Sequence, residues 1–551
     1  MKKISALLLV LLPLIAFSQN NFKAIDSVLS VYDQGVVPGV SVSIAKNGKV
    51  IYSRNVGYAD IEANKKIDDK TLFCMASVSK QFTAACIVML EQQGKLSLED
   101  KLSKYFPDFP EYANTISIVH LLNHTSGIKD YLALSMLRGH DNKDYTKNEM
   151  VEDMLRVQEL DFEPGSTFSY SNSGYWFLVR IIEKVSGKSI IDFAHENIFR
   201  PLKMKSTQYT YDAYSVKHMS KGYVETDEGY EIEPQKEYLI SGAGVVSSVH
   251  DMQKWLFEMY SQKVFGATFW NRMLNEELYD LGNNNFSAKG LFTGDYYGVK
   301  RIQHGGDLDG FHTVVECFPE QGVTVVMFTN NDNVNVYEFN KPALSSLLRL
   351  KYKKEKEVKN DVVQTEEQPI FDPVNETDLK QYEGDYGSEL GLSFNVSVKD
   401  GVLYVIQKWN GGGYPVVQTG ANKFKIDGDP IFFEFIDINN GTANLLKVNQ
   451  ESEEYVFERD YQLPDFGDYL GKYYSKVLDV SYEFYLEGGL LVFRPQGVDE
   501  VRVATIEEKD KGTSPWGNLS FVRGSEGAIT GFLLSHERAR NIEFVKVPAT
   551  E

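Results

Sequence analysis

Hydrophobic and polar positions along this chain fall into three regimes: a short apolar leader, a long stretch that mixes alternation with helical spacing, and a final third that alternates almost throughout. In the second regime Phe22 to Tyr32 has helical spacing. Pro38-Gly39 then leads into Val40, Val42 and Ile44 alternating with Ser41 and Ser43, and Asn47-Gly48 turns the chain toward Val50, Tyr52 and Arg54. Alternation on both sides of Asn-Gly predicts a hairpin. From Ser77 to Gln93 apolar residues recur at helical spacing, with Gly94 as the stop. A mostly helical stretch continues to about Met259, interrupted by Gly and Pro loops. His312 to Phe318 and Val323 to Phe328 read as two more strands around Pro319-Glu320-Gln321-Gly322. Strands at both ends with helices between them predict an antiparallel sheet covered by helices.

The chain is charged from Lys353 to Glu367, and Pro369 and Pro373 follow, so residues 353–375 read as a linker closing a first domain over 22–352. The alternating region beyond it repeats. Tyr382-Glu383-Gly384-Asp385-Tyr386 corresponds to Tyr469-Leu470-Gly471-Lys472-Tyr473, and Gly401-Val402-Leu403 to Gly488-Gly489-Leu490, both at a spacing of 87 residues. Two copies of one β unit follow from this, residues 376–461 and 464–548, each with the short regular strands of a small barrel. Aromatics such as Phe432, Phe433, Phe435, Tyr482, Phe484 and Tyr485 are expected to fill the barrel cores.

The leader combines Lys2 and Lys3 with the apolar run Ala6 to Phe17 and the small residues Ala16 and Ser18, which is the pattern of a secretory signal over 1–18. The run is shorter than a membrane anchor requires. Its removal would take the net charge from −20 to −22 and leave a mature chain without a membrane span, periplasmic or extracellular. An acidic chain lacks the Lys and Arg excess that neutralises phosphates in duplex nucleic acid, so no nucleic-acid partner is expected. Cys74, Cys86 and Cys317 are too few for a disulfide framework and read as small buried apolar residues. No metal-ligand pair of Cys or His spacing occurs, and no cofactor is implied.

Three short motifs carry the chemistry. Ser77-Val78-Ser79-Lys80 puts a hydroxyl and an amine on one face at the start of an apolar helix, where the amine can take the hydroxyl proton. The same S-x-x-K spacing occurs at Ser43-Lys46 and Ser126-Lys129, but the first lies in a strand and the second runs through a turn. If Lys80 is buried, desolvation should depress its pKa. Tyr170-Ser171-Asn172 follows a turn beginning at Glu163-Pro164-Gly165, and Tyr112-Ala113-Asn114 is a second copy of its form. His304-Gly305-Gly306 is the third motif, whose glycines would let a substrate approach the backbone or make a plain turn.

In this order the three motifs resemble those of the penicillin-recognising serine hydrolases, the superfamily of class C β-lactamases, DD-carboxypeptidases, related esterases and D-stereospecific aminopeptidases. Pro38-Gly39-Val40-Ser41-Val42, Leu121-Leu122-Asn123-His124-Thr125-Ser126-Gly127 and Gly305-Gly306-Asp307-Leu308-Asp309-Gly310 extend the resemblance over about residues 23–350. It implies an α/β (α+β) catalytic domain of the serine β-lactamase and penicillin-binding-protein type, followed by two all-β, lipocalin-like barrels. It implies Ser77 as the acylated nucleophile, Lys80 as the group that helps deprotonate it, Tyr170 as proton shuttle and Asn172 as the residue that holds the substrate amide or orients Lys80. His304, Gly305 and Gly306 would bind substrate, and the backbone N–H groups of Ser77 and Asp307 would form the oxyanion hole.

The third motif departs from the penicillinase pattern, which has Lys-Thr-Gly. Histidine is mostly uncharged near neutral pH, so its hold on a substrate carboxylate weakens and efficient β-lactam hydrolysis is in doubt. Histidine here resembles the D-aminopeptidases and some esterases, and two barrels behind a catalytic domain point the same way. The expected activity is cleavage of small amides or esters, with D-amino-acid peptides as candidates and peptidoglycan fragments as possible partners. An esterase or weak β-lactamase is the alternative within the superfamily. A silent receptor, scaffold or wall-binding protein is the alternative outside it.

Overall fold

The computed structural model describes residues 22–139, 147–226, 229–233, 243–336, 344–345, 347–348, 379–388, 391–399, 401–408, 412–426, 430–450, 453–461 and 465–548. The leader and linker expected over 1–18 and 353–375 lie outside these residues. The chain divides into two compact units, one of residues 1–132 with 143–355 and one of 133–142 with 356–551.

In the first unit β1 (Val40–Lys46) and β2 (Lys49–Val56) form the expected hairpin, with Asn47 and Gly48 both at positive φ, 50° and 74°. After β3 (Phe73–Cys74) a single 3₁₀ turn, Ala76–Ser79, runs into α1 (Lys80–Gln92), and Gly94 at φ 68° follows the helix end as expected. Next come α2 (Asn172–Ser186), β4 (Gln208–Tyr209), β5 (Val245–Ser247) and α3 (Val249–Ser261). The last segment is all strand: β6 (Tyr279–Gly282), β7 (Asn285–Ala288), β8 (Leu291–Tyr296), β9 (Val299–Leu308), β10 (Phe311–Phe318) and β11 (Val323–Thr329).

One eight-stranded antiparallel sheet has the order β6-β7-β8-β9-β10-β11-β1-β2. The period of two divides its side chains between two cores. Val315, Cys317, Val326 and Phe328 face the helical core around α1, α2 and α3, while Val40, Val42, Ile44, Val314, Val325 and Met327 face the core closed by helix Lys23–Leu29. A small sheet, β3-β5-β4, carries the chain from Phe73-Cys74 directly into the turn at Ser77.

The strands β6 to β9 correct the sequence reading, which placed His304-Gly305-Gly306 outside any strand. All three residues lie within β9, paired with β10. Gly282, Gly290 and Gly298 at positive φ, with Asn283 and Asn284, and three more glycines inside the strands, Gly294, Gly305 and Gly306, break the visible alternation there, so the strand signal is diluted although every strand pairs.

In the second unit eight strands from Gly384–Gly387 to Glu453–Arg459 close a barrel in sequence order. The nine strands that follow form a curled sheet whose two edges, Arg502–Val503 and Thr505–Glu508, flank Ala504, so it nearly closes. The repeated Y-x-G-x-Y segments do the same thing twice: each is a 3₁₀ turn entering a first strand, and Tyr386 Oη donates to the Tyr382 carbonyl at 2.9 Å as Tyr473 Oη does to Tyr469 at 2.8 Å. Phe433, Phe435, Tyr482 and Phe484 are buried in the cores as expected. Phe432 and Tyr485 are not; the strand period turns Phe432 outward, 46% exposed, and leaves Tyr485, next to buried Phe484, half-buried.

Candidate active site

The turn that carries Ser77 is strained at the residue before it. Ala76, immediately before Ser77, has φ 43°, a region that L-residues with a Cβ occupy rarely and at a cost of order 1–3 kcal/mol. The turn is fixed by Val78 N–H donating to the Met75 carbonyl at 3.0 Å and by Thr313 Oγ1 donating to the same oxygen at 3.1 Å. Gly306 explains the third motif's second glycine: a Cβ there would lie 2.4 Å from the Met75 oxygen and 3.2 Å from Ala76 Cβ. Only glycine lets β9 pass this close to the turn that carries Ser77.

Ser77 lies in the 3₁₀ turn, one residue-triplet ahead of α1, and Lys80 opens α1. Lys80 is fully buried. Its Nζ donates to Ser77 Oγ at 3.1 Å and to Asn172 Oδ1 at 2.8 Å, and sits 4.7 Å from the Tyr170 ring centre and 5.5 Å from that of Tyr175. Two oxygens and two aromatic faces therefore hold the amine in a dry site. The β7–β8 turn backs it, since Gly290, at φ 70°, approaches the Lys80 carbonyl so closely that a Cβ would be 2.6 Å away. The decoy motifs are elsewhere engaged: Lys129 is ion-paired with Asp161 in the interior, Lys46 ends a strand, and Tyr112 lies in a 3₁₀ turn.

Tyr170 and Asn172 are held by the loop 124–131. Asn172 N–H donates to Asp130 Oδ2 at 2.5 Å, Ser171 Oγ caps α2 by accepting from Gly174 N–H at 3.1 Å, and Ser173 Oγ donates to the Lys129 carbonyl at 2.9 Å. His124 is the centre of this clasp. It has φ 59° and is 2% exposed; its Nδ1 accepts the Ser171 N–H at 3.0 Å and its carbonyl the Ser169 N–H at 2.9 Å. Its ring stacks on Tyr170 at 4.2 Å and 26°. In the sequence His124 reads only as part of a flanking motif; its bond to the backbone of Ser171, next to a tyrosine 46 positions away, carries no local signal.

His304 is 3% exposed, packed 5.2 Å from Phe292 and 6.2 Å from Tyr170, ring centre to ring centre. Its Nδ1 lies 2.5 Å from the Gly305 carbonyl, which can only accept, so the proton is on Nδ1. Nε2, the unprotonated nitrogen, is buried and has no hydrogen-bond partner among the described residues. Burial, reinforced by Lys80, pushes its pKa down to about 4, so the ring is neutral at physiological pH. Next to it, Asp307 is tied across the β9–β10 hairpin to His312, whose Nδ1 is 2.9 Å from Asp307 Oδ1 and whose Nε2 is 2.7 Å from the Asp332 carbonyl. The hydrogen bond that His312 donates to the Asp307 carboxylate raises the His312 pKa above its ordinary value. Among the described residues no group of three or more His, Cys, Asp or Glu is placed to hold a metal ion.

A family model described as Beta-lactamase matches residues 22–347. The chain belongs to the Beta-lactamase family. Among curated members, Penicillin-binding protein 4* of Bacillus subtilis (strain 168) is 30% identical over 346 residues, 58% of this chain and 74% of that protein. The D-aminopeptidase of Brucella anthropi is 29% identical over 53% of this chain. Protein flp of Staphylococcus aureus (strain MW2) is 30% identical over 54% of this chain. The match spans only 56% and 60% of these last two proteins. Of solved structures, the octameric penicillin-binding protein homologue from Pyrococcus abyssi is 25% identical with a TM-score of 0.52, covering 81% of this chain and 99% of that one. The D-amino acid amidase from Ochrobactrum anthropi SV3, complexed with L-phenylalanine amide, is 26% identical with a TM-score of 0.50, covering 60% and 98%. This Beta-lactamase-family chain is a serine hydrolase of the penicillin-recognising superfamily.

Proposed function

We infer that this hydrolase forms an acyl-enzyme on Ser77 and cleaves small amides or esters, with D-amino-acid derivatives as its preferred class. The observation that carries the reading is the buried Lys80 Nζ shared between Ser77 Oγ and Asn172 Oδ1, with Tyr170 stacked alongside. When Ser77 Oγ attacks the substrate carbonyl, its proton passes to the Lys80–Tyr170 pair and from there to the departing amine or alcohol. Water then attacks the acyl-enzyme, with the pair taking its proton and Ser77 recovering one. Backbone N–H groups of Ser77 and Asp307 would receive the oxyanion, and Asn172 would orient the substrate amide and Lys80 together.

The neutral His304 supports the choice of substrate. An uncharged, buried ring offers no positive charge to a substrate carboxylate, which disfavours β-lactams and leaves amino-acid amides and esters as the better-suited class. The D-aminopeptidase and the D-amino acid amidase among the related proteins favour the same class. Comparing turnover of D- and L-amino acid amides, short-chain nitrophenyl esters and a chromogenic cephalosporin tests it. The cephalosporin should be the slowest; a turnover above that of the amides and esters would overturn the reading.

We further place the enzyme outside the cytoplasm, on the leader pattern of residues 1–18, and treat 22–352, 376–461 and 464–548 as three domains. Amino-terminal sequencing of exported protein, starting after Ser18, checks the first. Limited proteolysis cutting within 353–375 checks the second.

A further inference from the structure

A concavity in the first unit, about 520 Å³, is lined by Lys70, Lys205, Lys217 and His218 together with the hydroxyls of Ser206, Thr210 and Ser215, with no Asp or Glu among the described residues that line it. None of the three ammonium groups has an ion-pair or hydrogen-bond partner among the described residues. The nearby carboxylates are committed elsewhere. Asp68 accepts from Lys70 N–H and Thr71, Asp69 binds Asn55 and His250, Asp212 accepts from Ser215 N–H, and Asp251 holds Ser206 N–H and Lys254.

The concentration of charge runs against the rest of the chain. Residues 200–221 contain five Lys or Arg and one Asp in a protein whose net charge is −20. Three unpaired cations around one concavity repel each other, and a cleft lined by one sign of charge focuses the field on an incoming counter-charge. The floor is built rather than loose: Leu72 N–H donates to the His218 carbonyl at 2.9 Å, Ser220 N–H returns to the Leu72 carbonyl at 2.9 Å, and His218 is held at φ 68°. Thr210 also lines a small cavity beside the nucleophile turn, with Cys74, Ala76, Val245 and Leu308. The basic groove therefore shares Thr210 with the cavity behind Ala76 and contains none of the proposed catalytic groups.

We propose that this groove binds an anionic chain, one bearing phosphate or carboxylate groups at close intervals, and holds it beside the active site. Lysines act as point charges with hydroxyl donors between them, which suits repeated anionic oxygens on a flexible backbone. The overall negative charge makes the test discriminating, because a polyanion has no general reason to approach this protein.

Binding of the full-length protein to fluorescently labelled polyphosphate and to labelled poly-glutamate of equal charge is measured by anisotropy over a series of salt concentrations. Wild type should bind at least one of them, with log K falling linearly in log salt at a slope of about −2 to −3 for three neutralised charges. The triple variant Lys70→Gln, Lys205→Gln, Lys217→Gln should lose affinity by about tenfold or more while hydrolysing a small uncharged ester at the wild-type rate. A charge-matched control, Lys23→Gln, Lys49→Gln, Lys95→Gln, should bind as wild type does. Binding of only one probe assigns the anion as phosphate or carboxylate. No binding of either at low salt, or equal losses in the triple variant and the control, would overturn the proposal. Because the ester assay is separate, that result leaves the Ser77 reading intact.

Discussion

His304→Gln should remove a pH-dependent part of the protein's stability. In the native structure the imidazole is buried against Phe292 and near Lys80, and its pKa falls from an ordinary 6.5 to about 4. The unfolded chain takes up this proton below about pH 6.5, the native protein only below about pH 4, so stability must fall as the pH drops through that window and be fully present above it. At about 1.4 kcal/mol per pH unit, the displacement amounts to about 3 kcal/mol. Other groups titrate over the same range, so the readout is the difference between wild type and variant. Urea unfolding at pH 4.5, 5.5, 6.5 and 7.5 should show the wild type losing stability more steeply than His304→Gln, with the gap growing by about 2 to 3 kcal/mol across the series. Parallel curves would show that the imidazole is not a buried neutral ring, and the argument for an uncharged third motif would fall with it.

His124→Asn tests the clasp on Tyr170: asparagine tolerates a left-handed backbone and keeps an acceptor for Ser171 N–H but loses the ring stack. It should lower kcat by about 10- to 100-fold with KM nearly unchanged, and steady-state kinetics showing the loss in KM alone would contradict the positioning role. Gly306→Ala puts a methyl group against the Met75 carbonyl and should cost about 1–3 kcal/mol along with most of the activity, read by thermal unfolding and ester hydrolysis. Lys129→Met removes the ammonium that ion-pairs the buried Asp161 carboxylate and should destabilise by about 3–5 kcal/mol, a shift that denaturant titration resolves easily.

The parts of the fold legible in the sequence are those written in short-range spacing. The hairpin at Asn47-Gly48, the helix after Ser77, the strands at 312–318 and 323–328 and the paired Y-x-G-x-Y segments each depend on residues a few positions apart. The candidate triad was legible because its members lie in motifs that keep their order along the chain, and the structure brings Ser77, Lys80, Tyr170 and Asn172 together. What stayed hidden depends on distance in sequence. His124 is recognisable only once Ser171 and Tyr170 fold onto it, and Gly306 shows its purpose only against Met75, more than 200 residues away. The strands carrying His304 were masked by their own glycines, the residues that close contact with the nucleophile turn requires. Even Ser77 proved to sit in a 3₁₀ turn before the helix, a difference that helical spacing cannot distinguish from a first α-turn.

The central claim is that Ser77 is the nucleophile, and covalent labelling tests it most directly. Purified wild type incubated with a fluorophosphonate and analysed by intact mass and peptide mapping should carry a single adduct, on Ser77, and Ser77→Ala should carry none. An unlabelled wild type, or an adduct that persists in Ser77→Ala, would contradict the account.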